Sequence, residues 1–228
     1  MSKLLALDTA ADACSVALWL EGEIVSDHRL LPREHSRKML QMIEQILRDN
    51  QLCVADLDGI AYGRGPGSFT GLRICGGIVQ GLAFGADLPV VGVSSLAALA
   101  YPLIAEGEAV IACVDARMGE LYGAVYGQKD AKLVPLSDEF LLRPEAMSTA
   151  LVFDADAVKK WRGVGSGWQY RHQFGDMAAL DLLSCDAQAV ATAASVVALA
   201  VADFEQGNTQ TAADVAPVYL RDSVAWKN

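Results

Sequence analysis

Histidine is scarce in this chain: His28, His35 and His172 are three among 228 residues. None stands at metal-ligand spacing from another, and no Ser/His/Asp or Cys/His arrangement can be assembled from so few. Cys14, Cys53, Cys75, Cys113 and Cys185 are odd in number, scattered and without a Cys-x-x-Cys. Most sit in apolar runs, which predicts buried free thiols. Basic charge is in deficit, with 18 Lys and Arg against 28 Asp and Glu. The formal net charge of −10 argues against a chain that, alone, neutralises many phosphates. One local cluster, Arg29, Arg33, Arg37 and Lys38, reads as a solvated helix start or as the edge of a shared basic patch. Long apolar runs are missing as well. Residues 187–202 are Ala-rich but shorter than the ~20 residues a membrane span needs. Residues 88–105 are interrupted by Pro89, Gly92, Ser94, Ser95 and Pro102. The N-terminal stretch meets Asp8 too early for the apolar core of a secretory signal, so a cytoplasmic location is expected.

What the chain does have is ample material for a core, at 53% hydrophobic and 20% charged residues. Its densest signal is Tyr62-Gly63-Arg64-Gly65-Pro66-Gly67-Ser68-Phe69-Thr70-Gly71-Leu72-Arg73. An apolar run leads into glycines spaced two apart, and a helical pattern follows. The glycines permit close backbone approach, and Ser68 is placed to cap the helix. Such a turn either holds an anion on free N–H groups or is simply tight. It is not a Walker A loop, because no Gly-Lys-Ser/Thr follows. The helix over 68–84 carries Gly71, Gly76, Gly77 and Gly81, each costing about 1 kcal/mol against Ala inside a helix. Either it packs closely on the chain's own sheet, or it forms a seam with a second subunit. A second helix is predicted over 35–50. Its apolar residues, Met39, Leu40, Met42, Ile43, Ile46 and Leu47, fill an arc of roughly 160°, wider than an ordinary surface helix needs. That width fits core packing, or core packing on one flank and a partner on the other.

The chain also echoes itself. Leu4-Leu5-Ala6-Leu7-Asp8-Thr9-Ala10 is an apolar strand ending in Asp, followed by a second strand over 14–20. Val110-Ile111-Ala112-Cys113-Val114-Asp115-Ala116-Arg117 repeats the pattern, followed by a strand over 121–126. A third strand over 23–30 and alternating helices and strands to residue 105 complete the first half. Mixed sheets flanked by helices follow from that order. The second half is less regular, with strands near 133–136 and 151–153, the run Gly163-Val164-Gly165-Ser166-Gly167-Trp168, and a long helix over 187–206. Two lobes are expected, 1–107 and 108–228, with the C-terminal tail a candidate to return to the first. In a cleft between the Asp-bearing turns, Asp8 and Asp115 could hold a hydrated metal and a phosphate chain. Each is equally well a strand-end turn former.

Leu7-Asp8-Thr9-Ala10, the glycine string from Ala61 to Arg73, Asp115-Ala116-Arg117-Met118-Gly119-Glu120-Leu121-Tyr122 and Pro217-Val218-Tyr219-Leu220-Arg221 together resemble the bacterial TsaB (YeaZ) family. The resemblance runs from Leu4 to Trp226. It implies a duplicated α/β fold of the actin/sugar-kinase/Hsp70 (ASKHA) type. It also implies a role in making N6-threonylcarbamoyladenosine beside the anticodon of tRNAs that read codons beginning with A. In that family the chain is a non-catalytic subunit. A TsaD-type paralogue transfers the threonylcarbamoyl group, a TsaE-type ATPase joins the pair, and a separate TsaC enzyme makes the activated intermediate. Pairing with TsaD uses the first two helices of the N-terminal lobe in a four-helix bundle, and homodimers form through a similar surface. Carried onto this sequence, the partner-binding residues are expected among His35, Met39, Met42, Ile43, Ile46, Phe69, Leu72, Arg73, Gly76, Gly77 and Gln80. Asp8, Thr9, Asp115 and Gly165 mark a vestigial nucleotide cleft. ATP or ADP with Mg is expected only at the level of the complex, and tRNA only through it.

One departure supports a non-catalytic role. The catalytic paralogue holds metal with His-x-x-x-His on its first helix, two imidazoles one turn apart. Here His35 is followed four residues later by Met39. Two alternatives remain: a nucleotide-binding phosphotransferase of the same fold, and a peptidase. Against the first, Ala10, Ala11 and Ala13 stand after Asp8 where phosphate-gripping glycines and hydroxyls would be expected. Against the second, no His pair is present.

Overall fold

The computed structural model describes residues 2–31, 35–151, 158, 160–175, 177 and 180–221. The chain opens with three antiparallel strands, β1 (Lys3–Asp8), β2 (Ala13–Leu20) and β3 (Glu23–Leu30). Helix α1 (His35–Asp49) leads to β4 (Gly59–Gly65), which pairs parallel with β1. Helix α2 (Phe69–Ala86) leads to β5 (Val90–Ser94), parallel to β4, and the short α3 (Ser95–Ala100) follows. The sheet order is β3-β2-β1-β4-β5. Central strands β1 and β4 are apolar along almost their whole length because both faces of the sheet are covered. Helix α3 stops at Ala100 and tightens into a 3₁₀ turn, Tyr101–Leu103, because Pro102 supplies no N–H to continue the ladder.

The second run repeats the plan. Strands β6 (Glu108–Arg117), β7 (Glu120–Lys129) and β8 (Lys132–Pro135) are antiparallel, and β9 (Phe140–Leu142) also pairs with β7. After α4 (Met147–Ala150), β10 (Lys160–Val164) pairs parallel with β6, and β11 (Leu182–Asp186) pairs parallel with β10. The order β11-β10-β6-β7-β8 is that of the first sheet read from the other edge. Of the strand expected over 151–153, all but the first residue lies outside the described residues, as do Arg33 and Trp226.

Helix α5 (Ala193–Glu205) then departs from the simple division into halves. The two compact units are Met1–Ala98 with Val190–Pro217, and Leu99–Ala189 with Val218–Asn228. Helix α5 therefore belongs with the first sheet rather than the second, and residues 99–107 belong with the second unit. The reason lies in alternation along the strands. Leu5, Leu7, Val16, Leu18, Ile60 and Tyr62 form one core with Met39, Met42, Ile43, Ile46 and Leu47 of α1 and with Cys75 and Val79 of α2. The intervening residues are small, among them Ala6, Ala17, Gly59 and Ala61. A Cβ on Gly59 would stand 2.6 Å from the Phe204 ring of α5. Ser15 Oγ accepts from Ala193 N at 2.9 Å, and Thr192 caps the helix through Ser195 N. An Ala-rich helix needs such a shallow face, and the first sheet supplies it.

Candidate functional site: two strand-end turns and an exposed helix face

Asp8 ends β1 and is 1% exposed. Its Oδ1 accepts from Ala10 N at 3.0 Å, and its Oδ2 accepts from Ser95 Oγ at 3.4 Å. Ser95 Oγ in turn accepts from Gly65 N at 3.2 Å. Burial pushes the Asp8 carboxyl up to about 6, against the opposing pull of those two hydrogen bonds. Thr9 is fully buried and donates its hydroxyl to the Gly71 carbonyl at 2.8 Å. The glycine turn wraps this strand end with no clearance. A Cβ on Gly63 would lie 1.8 Å from Asp8 Oδ2, one on Gly67 2.5 Å from Ala10 O, and one on Gly71 2.0 Å from Thr9 O. Ser68 donates its N–H to Ala10 O at 2.8 Å, and its side chain accepts from Gly71 N at 3.3 Å. The glycines at 63, 67 and 71 are thus required by the chain's own strand end.

The second unit builds the same turn at Asp115. Its Oδ1 accepts from Arg117 N, two residues on, at 2.8 Å, as Asp8 does from Ala10. Its Oδ2 pairs with Arg117 Nη1 at 3.3 Å and accepts from the Tyr170 hydroxyl at 3.4 Å, while its N–H donates to Ser166 Oγ at 3.0 Å. Gly165 has φ +101°, and a Cβ there would stand 2.5 Å from Cys113 O. The Gly163–Gly167 run therefore closes on the end of β6 as the first glycine turn closes on β1. Beyond Asp115, Arg117, Met118 and Gly119 are all left-handed, at φ 63°, 56° and 74°. Arg221 holds this hairpin: its guanidinium donates to Glu120 Oε2 at 2.5 Å, to Ala116 O at 3.3 Å and to Met118 Sδ at 2.9 Å. Two motifs that the sequence shows a hundred residues apart are one contact. Nothing in the sequence signals that pairing.

The residues expected at a partner surface divide sharply. Met39, Met42, Ile43 and Ile46 are 5% exposed or less and pack against the first sheet, so the broad arc of α1 is core in the single chain. Burying each is worth roughly 1.5–3 kcal/mol, which accounts for the width. Leu40, at 52% exposed, is the remainder. His35 opens α1, and its side chain lies outside what is described. On α2, Leu72 and Gly76 are buried, whereas Phe69, Arg73, Gly77 and Gln80 are exposed. The Arg73 guanidinium lies over the Phe69 ring, 4.0 Å from its centroid. Gly77, Gly81 and Gly85 follow at four-residue steps on the same face, and beyond the helix's own turns no atom of the described residues lies within 4 Å of a Cβ on any of them. Phe84, at 84% exposed, stands beside that row. By length and composition α2 could cross a membrane, yet a third of it is buried on β4 and β1.

Burial raises Cys14, to about 11, and raises Cys75 and Cys113 further, so these thiols stay protonated. Among the described residues no three His, Cys, Asp or Glu side chains gather as a metal site.

Two sheets of one order, each opening on a hairpin whose first strand ends in a turn-forming Asp, define a duplicated α/β fold of the ASKHA type. The family model described as "TsaD: tRNA N6-adenosine threonylcarbamoyltransferase" matches residues 28–228. The chain is 41% identical to the tRNA threonylcarbamoyladenosine biosynthesis protein TsaB of Escherichia coli (strain K12), over 99% of this chain and 97% of that one. It is 39% identical to the protein of the same name from Haemophilus influenzae, over 98% and 95%. Among solved structures, YeaZ from Pseudomonas aeruginosa superposes with a TM-score of 0.87 at 39% identity, over 96% of this chain and all of that one. The chain belongs to the TsaB (YeaZ) family.

Proposed function

We propose that this chain is a non-catalytic subunit in the synthesis of N6-threonylcarbamoyladenosine in tRNA, acting in the cytoplasm. It docks through the exposed face of α2 onto a TsaD-type catalytic chain, with a TsaE-type ATPase joining the pair and tRNA reached through the complex. A second copy of the chain takes the same face when the catalytic chain is absent. The names of the two relatives support the process. The observation that carries the docking surface is the Gly77–Gly81–Gly85 row, which has no steric reason among the described residues. Three exposed glycines weaken a helix by about 1 kcal/mol each, and close approach of another backbone is what they make possible. Phe69 and Phe84 flank the row as apolar anchors of the kind that dominate interfaces. Met39 adds support for the non-catalytic role: the position one turn after His35 holds a thioether buried in the core.

Gly77→Asp tests the surface. The variant places a carboxylate where, beyond the helix's own turns, nothing of the described residues lies within 4 Å of the Cβ, so the monomer is expected to fold as wild type. Co-purification with the TsaD-type chain should be lost. Pairing at undiminished affinity would discard this surface.

A further inference from the structure

Five glycines, Gly71, Gly76, Gly77, Gly81 and Gly85, lie in α2, so the helix is weak on its own account. It rests on β4 and β1 and touches α1, and a further flank, bearing Gly76 and Gln80, is covered by the segment that follows α5. That segment is fastened at several points, all within the first unit. Gln210 exchanges two backbone hydrogen bonds with Val90, of 2.8 and 2.9 Å, at the free edge of the sheet. Its side-chain Nε2 donates to the Tyr62 hydroxyl at 3.0 Å, and that hydroxyl donates onward to the Ala216 carbonyl at 3.2 Å. Gln80 Nε2, from the middle of α2, donates to the Val215 carbonyl at 3.1 Å. Val215 is buried in the α1–α2 core, and its Cγ1 would lie 4.0 Å from a Cβ on Gly76. Between these anchors Thr211 and Asp214 close a capping box around a 3₁₀ turn, Ala212–Asp214, so the stretch is itself folded.

We propose that residues 210–217 are a strap that fixes α2 for docking, so that pairing strength depends on side chains the partner never reaches. The inference rests on the docking face proposed above. A glycine-rich helix held on this flank meets its partner already ordered. With the strap loosened, the cost of ordering α2 falls on the binding step and weakens it. Tyr62 and Val215 are positioning residues: both are buried, and both act through α2. Gln80 has a double position, since its stem is on the exposed face while its amide is spent on the strap.

Two variants of the full chain test this. Tyr62→Phe keeps the ring and removes the hydroxyl that joins Gln210 to Ala216. Val215→Ala removes two methyl groups beneath the strap, and Tyr62→Phe decides the matter if Val215→Ala fails to fold. Each is paired with the TsaD-type chain, and amide hydrogen exchange is followed along α2. The expected result is roughly tenfold weaker pairing with faster exchange confined to residues 76–84 and 210–216. A merely structural role would lower the unfolding midpoint and leave both readouts unmoved, which would overturn the proposal. Gly77→Asp is run alongside. Loss of pairing there, with none in either strap variant, overturns the strap alone. Undiminished pairing in all three overturns the docking face itself.

Discussion

Asp8 carries a testable charge. Its carboxyl is raised by burial to about 6, so the folded chain binds that proton more tightly than the unfolded chain does. The contribution is favourable at pH below the ordinary carboxylate value and is lost as pH rises through about 6, a swing of at most about 3 kcal/mol. Asp8→Asn keeps the shape and an acceptor for Ala10 N, and it should abolish this part of the pH dependence. Urea unfolding between pH 4 and 7.5 would show wild type losing stability relative to the variant. A parallel dependence in the two proteins would remove Asp8 as the cause. Glycine offers a second contrast. Gly71→Ala drives a methyl into the Thr9 carbonyl and should destabilise by about 3 kcal/mol, because the two nearest atoms it meets are backbone. Gly77→Ala should stabilise the monomer by about 1 kcal/mol while weakening pairing. The sequence shows both as helix glycines and gives no means of separating them. What separates them is which face β1 occupies.

At the scale of elements, the sequence made α2 legible in some detail. Ser68 was readable as a cap and the glycines as a sign of close approach, and both features rest on local chemistry. Helix α1 was less legible, since an apolar arc records how many side chains avoid water but not how deep a sheet will cover them. The alternative of plain core packing is the one the burial of Met39, Met42, Ile43 and Ile46 supports. The β6–β7 hairpin is a different case, because its partner comes from the far end of the chain. Arg221→Ala would remove the guanidinium that joins Ala116, Met118 and Glu120. Amide exchange at 116–120 should accelerate roughly tenfold, with a loss of about 1–2 kcal/mol in global stability. Unchanged exchange there would mean the left-handed turn holds itself.

For the whole molecule, duplication could be read from two Asp-ended apolar strands because each strand writes its burial into its own composition. The division of the chain could not. The destination of α5 depends on which sheet offers a face of Ala and Gly, and that face exists only after β1, β2 and β4 are in register. The functional reading has its own test at this scale: mass spectrometry of tRNA nucleosides from cells depleted of the chain. Loss of threonylcarbamoyladenosine, restored by wild type and by Asp8→Asn, is the expected outcome. Restoration by wild type alone would return the Asp8 turn to consideration as a nucleotide site. The glycine face of α2 has a further consequence, for abundance. On the docking reading proposed above, even a strapped α2 opens locally more often with its glycine face uncovered than with it covered, and proteases sample what is open. Association adds to stability in proportion to how far partner concentration exceeds Kd. On that reading, copies made in excess of the proposed partner are the first to be cleared. Stoichiometry in the proposed pair would be kept by turnover rather than by matched synthesis, and a pulse-chase with depletion of the TsaD-type chain would show the shortened half-life.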